Sequence, residues 1–198
     1  GNSGGPLINL DDGKVAGVVV RKDVYTQAGY QTEGVGYAVH LNEVIKSLRM
    51  LKSGDKSYAG DFYGKEGGKY YDDGNYLAAV DLWAKAIFVE PDNFAHHYNR
   101  GLAYNRLDHF QMSIIDYDVA LQLKPDHVKG YVARANSYWN LQNYQMAVEN
   151  FNKVRELDPR HSYAALGLYH MHWNLGDYEQ SEFFRVLACD LGEVEACT

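Results

Sequence analysis

Apolar residues follow two different periodicities along this chain, and the change falls just after residue 52. Before it they come in short runs separated by turn formers: PLINL, then Asp11-Asp12-Gly13-Lys14, then VAGVVV. Such a pattern predicts a β-hairpin closed by a glycine-containing turn. A variable stretch from about Arg21 to Glu33 leads to GVGYAV, a third predicted strand. Asn42 then caps a predicted helix with Val44, Ile45, Leu48 and Leu51 on one face. Ser53 to Ser57, polar with one glycine, reads as the start of a linker over 53–59.

From residue 60 the pattern is helical and it repeats. Gly67, Gly101, Ala135 and Tyr169 stand 34 residues apart, with Tyr70, Tyr104, Tyr138 and His172 three residues later. Tyr76, Phe110, Tyr144 and Tyr178 follow in the same register, then Ala79, Ser113, Ala147 and Ser181. Next come Trp83, Tyr117, Phe151 and Arg185, then Ala86, Ala120, Val154 and Ala188, while Pro91, Pro125 and Pro159 close three units. A small residue where two helices cross lets their backbones approach, an aromatic fills the space beside it, and proline stops the second helix. This order of small, aromatic, alanine and proline sites resembles the tetratricopeptide repeat (TPR) family. The resemblance implies helix-turn-helix units at 60–93, 94–127 and 128–161, and a degenerate fourth at 162–195. Stacked units of this kind form a right-handed superhelix whose first helices line a groove.

The groove positions implied by that frame are Lys65, Tyr98, Asn99, Lys129 and Asn136, continued by Trp139, Asn140, His170, Trp173 and Asn174. Asparagine amides pair with the backbone of an extended peptide and aromatics cover its side chains, so a protein or extended peptide is the expected partner. The basic and asparagine positions of the carboxylate clamp found in chaperone-binding TPRs are present only in part, and that partner is not expected.

GNSGGPL, Gly1 to Leu7, resembles the nucleophile loop of trypsin-like, HtrA-type serine proteases. The family resemblance covers 1–52 and implies Ser3 as nucleophile, with the N–H groups of Ser3 and Gly1 as oxyanion donors. It sets Val20, Arg21 and Lys22 along a substrate cleft and Gly34 and Gly36 in the pocket wall. The family's chain order is His, Asp, Ser, so the partners of Ser3 precede residue 1, and the chain as given is expected to show no proteolysis. The fold expected from both resemblances is mixed: a partial β-barrel, the last third of a trypsin-like domain, followed by an all-α TPR superhelix. Its leading function is the C-terminal part of a serine endopeptidase acting on polypeptide substrates, with repeats that recruit proteins. The alternative is a non-catalytic TPR scaffold carrying a protease-derived remnant.

Charge and composition narrow the partners further. A net charge of −7 disfavours a nucleic-acid backbone, and no apolar run approaches 18 residues, so no membrane span is expected. The chain lacks an initiating Met and opens inside a motif, which suggests the C-terminal piece of a longer protein with any signal upstream. His170 and His172 are two apart on a helix and face different ways, and His96 and His97 are adjacent; no metal and no cofactor are expected. The acid pairs at 11–12 and 72–73 sit in turns. Cys189 and Cys197 lie in LACDLGEVEACT, where Gly192 ends one helix and Val194 to Cys197 begin another. The segment resembles cysteine-rich Sel-type relatives of the TPR, which implies a Cys189–Cys197 disulfide; the residues alone equally suit two small apolar positions on a drifting end repeat. A bridge needs an oxidising compartment, in line with the periplasmic or secreted home that the HtrA-type resemblance implies.

Overall fold

The computed structural model describes residues 6–8, 15–18 and 56–197. Two short strands, β1 (Pro6–Ile8) and β2 (Val15–Val18), pair antiparallel with Pro6 opposite Val18 and a register shift between Leu7 and Ile8. The remainder is helical. Among the described residues eight α-helices follow in antiparallel pairs: α1 (Lys56–Asp72) with α2 (Tyr76–Val89), α3 (Phe94–Arg106) with α4 (Phe110–Leu123), α5 (Val128–Asn140) with α6 (Tyr144–Leu157), and α7 (Ser162–Asn174) with α8 (Tyr178–Asp190). A 3-10 turn, Val194–Cys197, follows the last pair. The N-terminal unit, 1–41, and the unit from Asn42 onward are separate compact bodies.

These findings correct the expected mixed fold. From Lys56 on the described architecture is an all-helical superhelix, and no barrel is present among the described residues. A barrel requires every strand to be paired on both edges, whereas among the described residues β1 and β2 pair only with each other, in a sheet of two strands. The third strand over GVGYAV and the helix capped by Asn42 lie outside the described residues. Helix α1 begins at Lys56, inside the stretch read as linker, where Lys56 to Ala59 hold neither proline nor glycine.

The first three pairs are held by the small-against-aromatic contacts that the spacing predicts. A Cβ at Gly101 would lie 2.6 Å from the Tyr117 ring, so only glycine admits the α3–α4 crossing at this separation. In the last pair the small site carries Tyr169, and the close approach moves to Gly167, where a Cβ would meet Phe151 of the preceding pair at 2.6 Å. Tyr117, Phe151, Val154, Leu168 and Met171 are fully buried. Second helices start on Asn75, Asn143 and Asp177, whose side chains accept from Ala78, Met146 and Gln180 N–H groups. The turns before them repeat a left-handed residue at Gly74, Asp108, Gln142 and Gly176, again 34 apart.

Polar contacts mark the same register. Arg100 grips the buried Asp116 with two bonds, Nε to Oδ2 at 2.8 Å and Nη2 to Oδ1 at 2.7 Å. One repeat later Arg134 Nε donates to Asn150 Oδ1 at 2.8 Å. His96 Nε2 lies 2.9 Å from Glu90 Oε2, and His97 Nε2 lies 2.9 Å from the Pro91 carbonyl. Both histidines are thereby committed to the junction between the first two pairs.

Candidate functional site

First helices of successive pairs lie side by side, α1 against α3 and α3 against α5. Between them opens a cavity of about 370 Å³, within the range of small ligand sites. Its apolar wall is Leu102, Val132 and Ala133, and its polar wall is Asn105, Arg106, Lys129, Asn136 and His161. Three tyrosines complete it: Tyr71, Tyr98 and Tyr117.

Local contacts fix most of these groups. Arg106 Nε donates to the Tyr71 hydroxyl at 3.1 Å, leaving its terminal nitrogens exposed. Asn105 Nδ2 donates to Ser137 Oγ at 2.9 Å, and Ser137 Oγ sits 2.8 Å from Ser113 Oγ, a buried rung joining the second and third pairs. His161 caps α7 by accepting the Ala164 N–H at Nδ1, which assigns its proton to Nε2. Tyr98 stands edge-on to His127 at 4.7 Å and tilts over Tyr117 at 5.9 Å.

Tyr117 is the exception. It is fully buried, and its hydroxyl has no hydrogen-bond partner. Burial, with Tyr98 and Tyr71 nearby, pushes its phenol far above the ordinary value, so it stays protonated and remains a donor. Burial also raises Tyr98. None of the described residues lining the cavity is acidic, although the whole chain is.

A second feature lies on α5 and α7. Trp139 stacks on His170 at 5.7 Å with the planes 20° apart, and Trp173, 57% exposed, meets Tyr178 edge-on at 5.1 Å. Burial lowers the His170 pKa, which favours the neutral ring. His172 turns instead to Phe184, stacking at 5.4 Å.

The ten expected groove residues therefore divide. Tyr98, Lys129 and Asn136 line the cavity, while Trp139, His170 and Trp173 form an aromatic shelf. Lys65 is exposed on α1 and Asn99 half-buried on α3, and neither lines the cavity. The asparagines also bond within the protein. Asn140 Nδ2 donates to the Asn136 carbonyl at 2.8 Å and Asn174 Nδ2 to the His170 carbonyl at 2.7 Å, so each spends a donor on its own helix. Asn136 Oδ1 accepts from the Tyr163 hydroxyl at 3.2 Å.

Family models for the tetratricopeptide repeat match residues 66–128 and 128–161. Residues 66–161 are tetratricopeptide repeats. No curated protein matches the chain in sequence. Among solved structures, the first TPR of Spaghetti (RPAP3), bound to the HSP90 peptide SRMEEVD, superposes with a TM-score of 0.59 at 28% identity, over 61% of this chain and 95% of that one. The first TPR domain of human RPAP3 gives 0.57 at 28%, over 63% and 98%. MamA gives 0.67 at 18%, over 79% and 91%, and shows the shared fold alone.

The TPR matches do not reach residues 1–52, and nothing in the comparisons supports a trypsin-like fusion. Ser3, Gly1, Val20, Arg21, Lys22, Gly34 and Gly36 lie outside the described residues. Among the described residues no group of three His, Cys, Asp or Glu side chains converges on a metal position. Cys189 and Cys197 are joined, Cα to Cα 5.0 Å, and tie α8 to the 3-10 turn. Sequence reasoning missed Tyr71, Asn105, Arg106, Tyr117 and His161 as lining residues. Tyr117 carried a signal, since it puts a hydroxyl where the same register holds Trp83 and Phe151.

Proposed function

We propose that the TPR array is a protein-interaction module that holds an extended peptide along the face built by α1, α3, α5 and α7. One observation carries this reading: a cavity walled by phenols, amides and two cations opens on the first helices, and an aromatic shelf continues along α5 and α7. Stacked aromatics cover side chains at little cost in conformational entropy, and amides and phenols satisfy peptide groups. The peptide bound by the 28%-identical TPR of Spaghetti supports the ligand class. It does not transfer the same ligand, because the basic and asparagine positions of the clamp are present only in part.

This is the scaffold reading of the sequence, and it fits better than the endopeptidase reading; the polypeptide substrate tied to the latter has no support. We also assign the module to an oxidising, extracytoplasmic compartment, a reading supported by the Cys189–Cys197 bond. The test is selection of a phage-displayed random dodecapeptide library on the full chain. Binders are expected to emerge and to lose about tenfold in affinity on Trp139→Ala with helical circular dichroism intact. No enrichment over the naive library, or binders indifferent to Trp139→Ala, would overturn the proposal.

A further inference from the structure

The far end of the aromatic shelf is open. Trp173 and Tyr178 are 57% and 61% exposed, whereas Trp139 and Tyr144, one repeat earlier in the same register, are half-buried. The two rings meet edge-on at 5.1 Å, and with this much exposure π surface of both faces water. Such a surface attracts cations, because the ring quadrupole puts negative charge on its faces.

The charge around the pair has the matching sign. From Ser162 to Thr198 the sequence holds six carboxylate residues against one base, Arg185, and so carries most of the net charge of −7. Arg185 is already engaged: Nε and Nη2 donate to the two Glu182 oxygens, each at 2.8 Å, and Nη1 donates to the Ala196 carbonyl at 2.7 Å. Asp177 directly precedes Tyr178, so this carboxylate and the ring pair share one turn. Its side chain is 46% exposed; Oδ1 accepts the Gln180 N–H and Oδ2 lies 3.2 Å from His172 Nδ1, which leaves each oxygen a lone pair. On the inner side of the shelf the stacked His170 repels no cation, because burial holds the ring neutral.

We propose that the open end of the shelf takes an arginine side chain of the peptide held in the groove, with its guanidinium on the Trp173 and Tyr178 rings and Asp177 as its charge partner. The inference rests on the peptide-binding reading above and adds the chemistry of one subsite. Arginine fits better than lysine. A planar guanidinium stacks on an indole while its edge still donates to a carboxylate, and an ammonium, compact and strongly hydrated, does not do both. An acidic side chain here would meet like charge.

The test uses the strongest peptide selected on the full chain and its single-site analogues, measured by calorimetry. One arginine of the peptide is expected to resist replacement: citrulline, which keeps the shape and loses the charge, should weaken binding about tenfold, and lysine about threefold. Trp173→Leu should cost the arginine peptide about fivefold and the citrulline analogue at most about twofold, with helical circular dichroism intact. Asp177→Asn keeps an N-cap for α8 and removes the charge. It should weaken the arginine peptide about threefold and flatten its salt dependence. Selected peptides indifferent to citrulline, or an equal loss for both peptides on Trp173→Leu, would overturn the subsite and leave the groove reading standing. A leucine analogue as tight as the arginine peptide would overturn the choice of ligand. Failure of every library peptide to bind removes the groove reading itself, and this subsite with it.

Discussion

At Gln142 the backbone turns through φ 57°, and at Asp108 through 58°, a region that β-carbon sterics penalise by about 1 kcal/mol or more. The same turn in the first and last repeats uses Gly74 and Gly176, at φ 79° and 77°. Gln142→Gly is therefore expected to stabilise the protein by about 0.5–1 kcal/mol, and Gly176→Ala to destabilise it by about as much, both read from urea denaturation midpoints. An unchanged midpoint in Gln142→Gly would show that the turn is unstrained. Asp116 offers a second residue-scale test. Removing it strands Arg100 in a half-buried site, so Asp116→Ala should cost about 3 kcal/mol. Asp116→Asn keeps an acceptor for Arg100 Nε, as Asn150 does for Arg134 Nε one repeat later where Asp118 supplies the charge, and should cost less than Asp116→Ala. Equal losses in the two variants would deny that the chain itself supplies the tolerated alternative.

The helices are largely legible in the amino-acid sequence, because a 34-residue spacing of small, aromatic and proline sites leaves few arrangements that bury all of them. Tyr76, Phe110, Tyr144 and Tyr178 each open a second helix, and Pro91, Pro125 and Pro159 each follow one. What the pattern does not convey is where individual polar atoms go. The repeat frame names Asn140 and Asn174 as groove positions, and it does not show that each amide gives one N–H to the carbonyl four residues back. By spacing alone Tyr117 fills a helix crossing, and that it also borders the cavity with Arg106 and Lys129 follows only from how the other helices pack. The barrel expected ahead of the repeats rests on local motif order, which says nothing about whether a hairpin finds partners for its outer edges. Helix ends also set a pH dependence. Burial lowers the pKa of His127, at the N-cap of α5, and of His170, near the end of α7. Their folded forms hold fewer protons than the unfolded chain once pH drops below about 6.5, so unfolding takes up protons and stability falls with pH there. The urea midpoint should decrease from pH 7.5 to pH 5, and His127→Phe combined with His170→Gln should flatten that slope; an unchanged slope would count against it.

Across the whole molecule each helix pair packs mainly on its neighbours, so stability is close to a sum of units and interfaces. The Cys189–Cys197 bond acts on one end of that sum. Replacing both cysteines with serine should cost about 2–3 kcal/mol by the chain-entropy estimate, concentrated in α8 and the 3-10 turn. Hydrogen exchange should show faster exchange there and unchanged protection in α3 to α6; a uniform loss would mean the array melts as one block. The 3-10 turn itself stands where a further first helix would begin, with Ala196 buried against Ala165, Leu166 and Ala188. Mechanically the array then resembles a zip fastened at one end. Pulled open, it should part at α1 and α2 while α7 and α8 still hold, so the cavity beside Tyr71 is dismantled before the shelf of Trp139 and His170 lets go. A peptide held across both would be loosened at the cavity first and kept by the aromatic shelf.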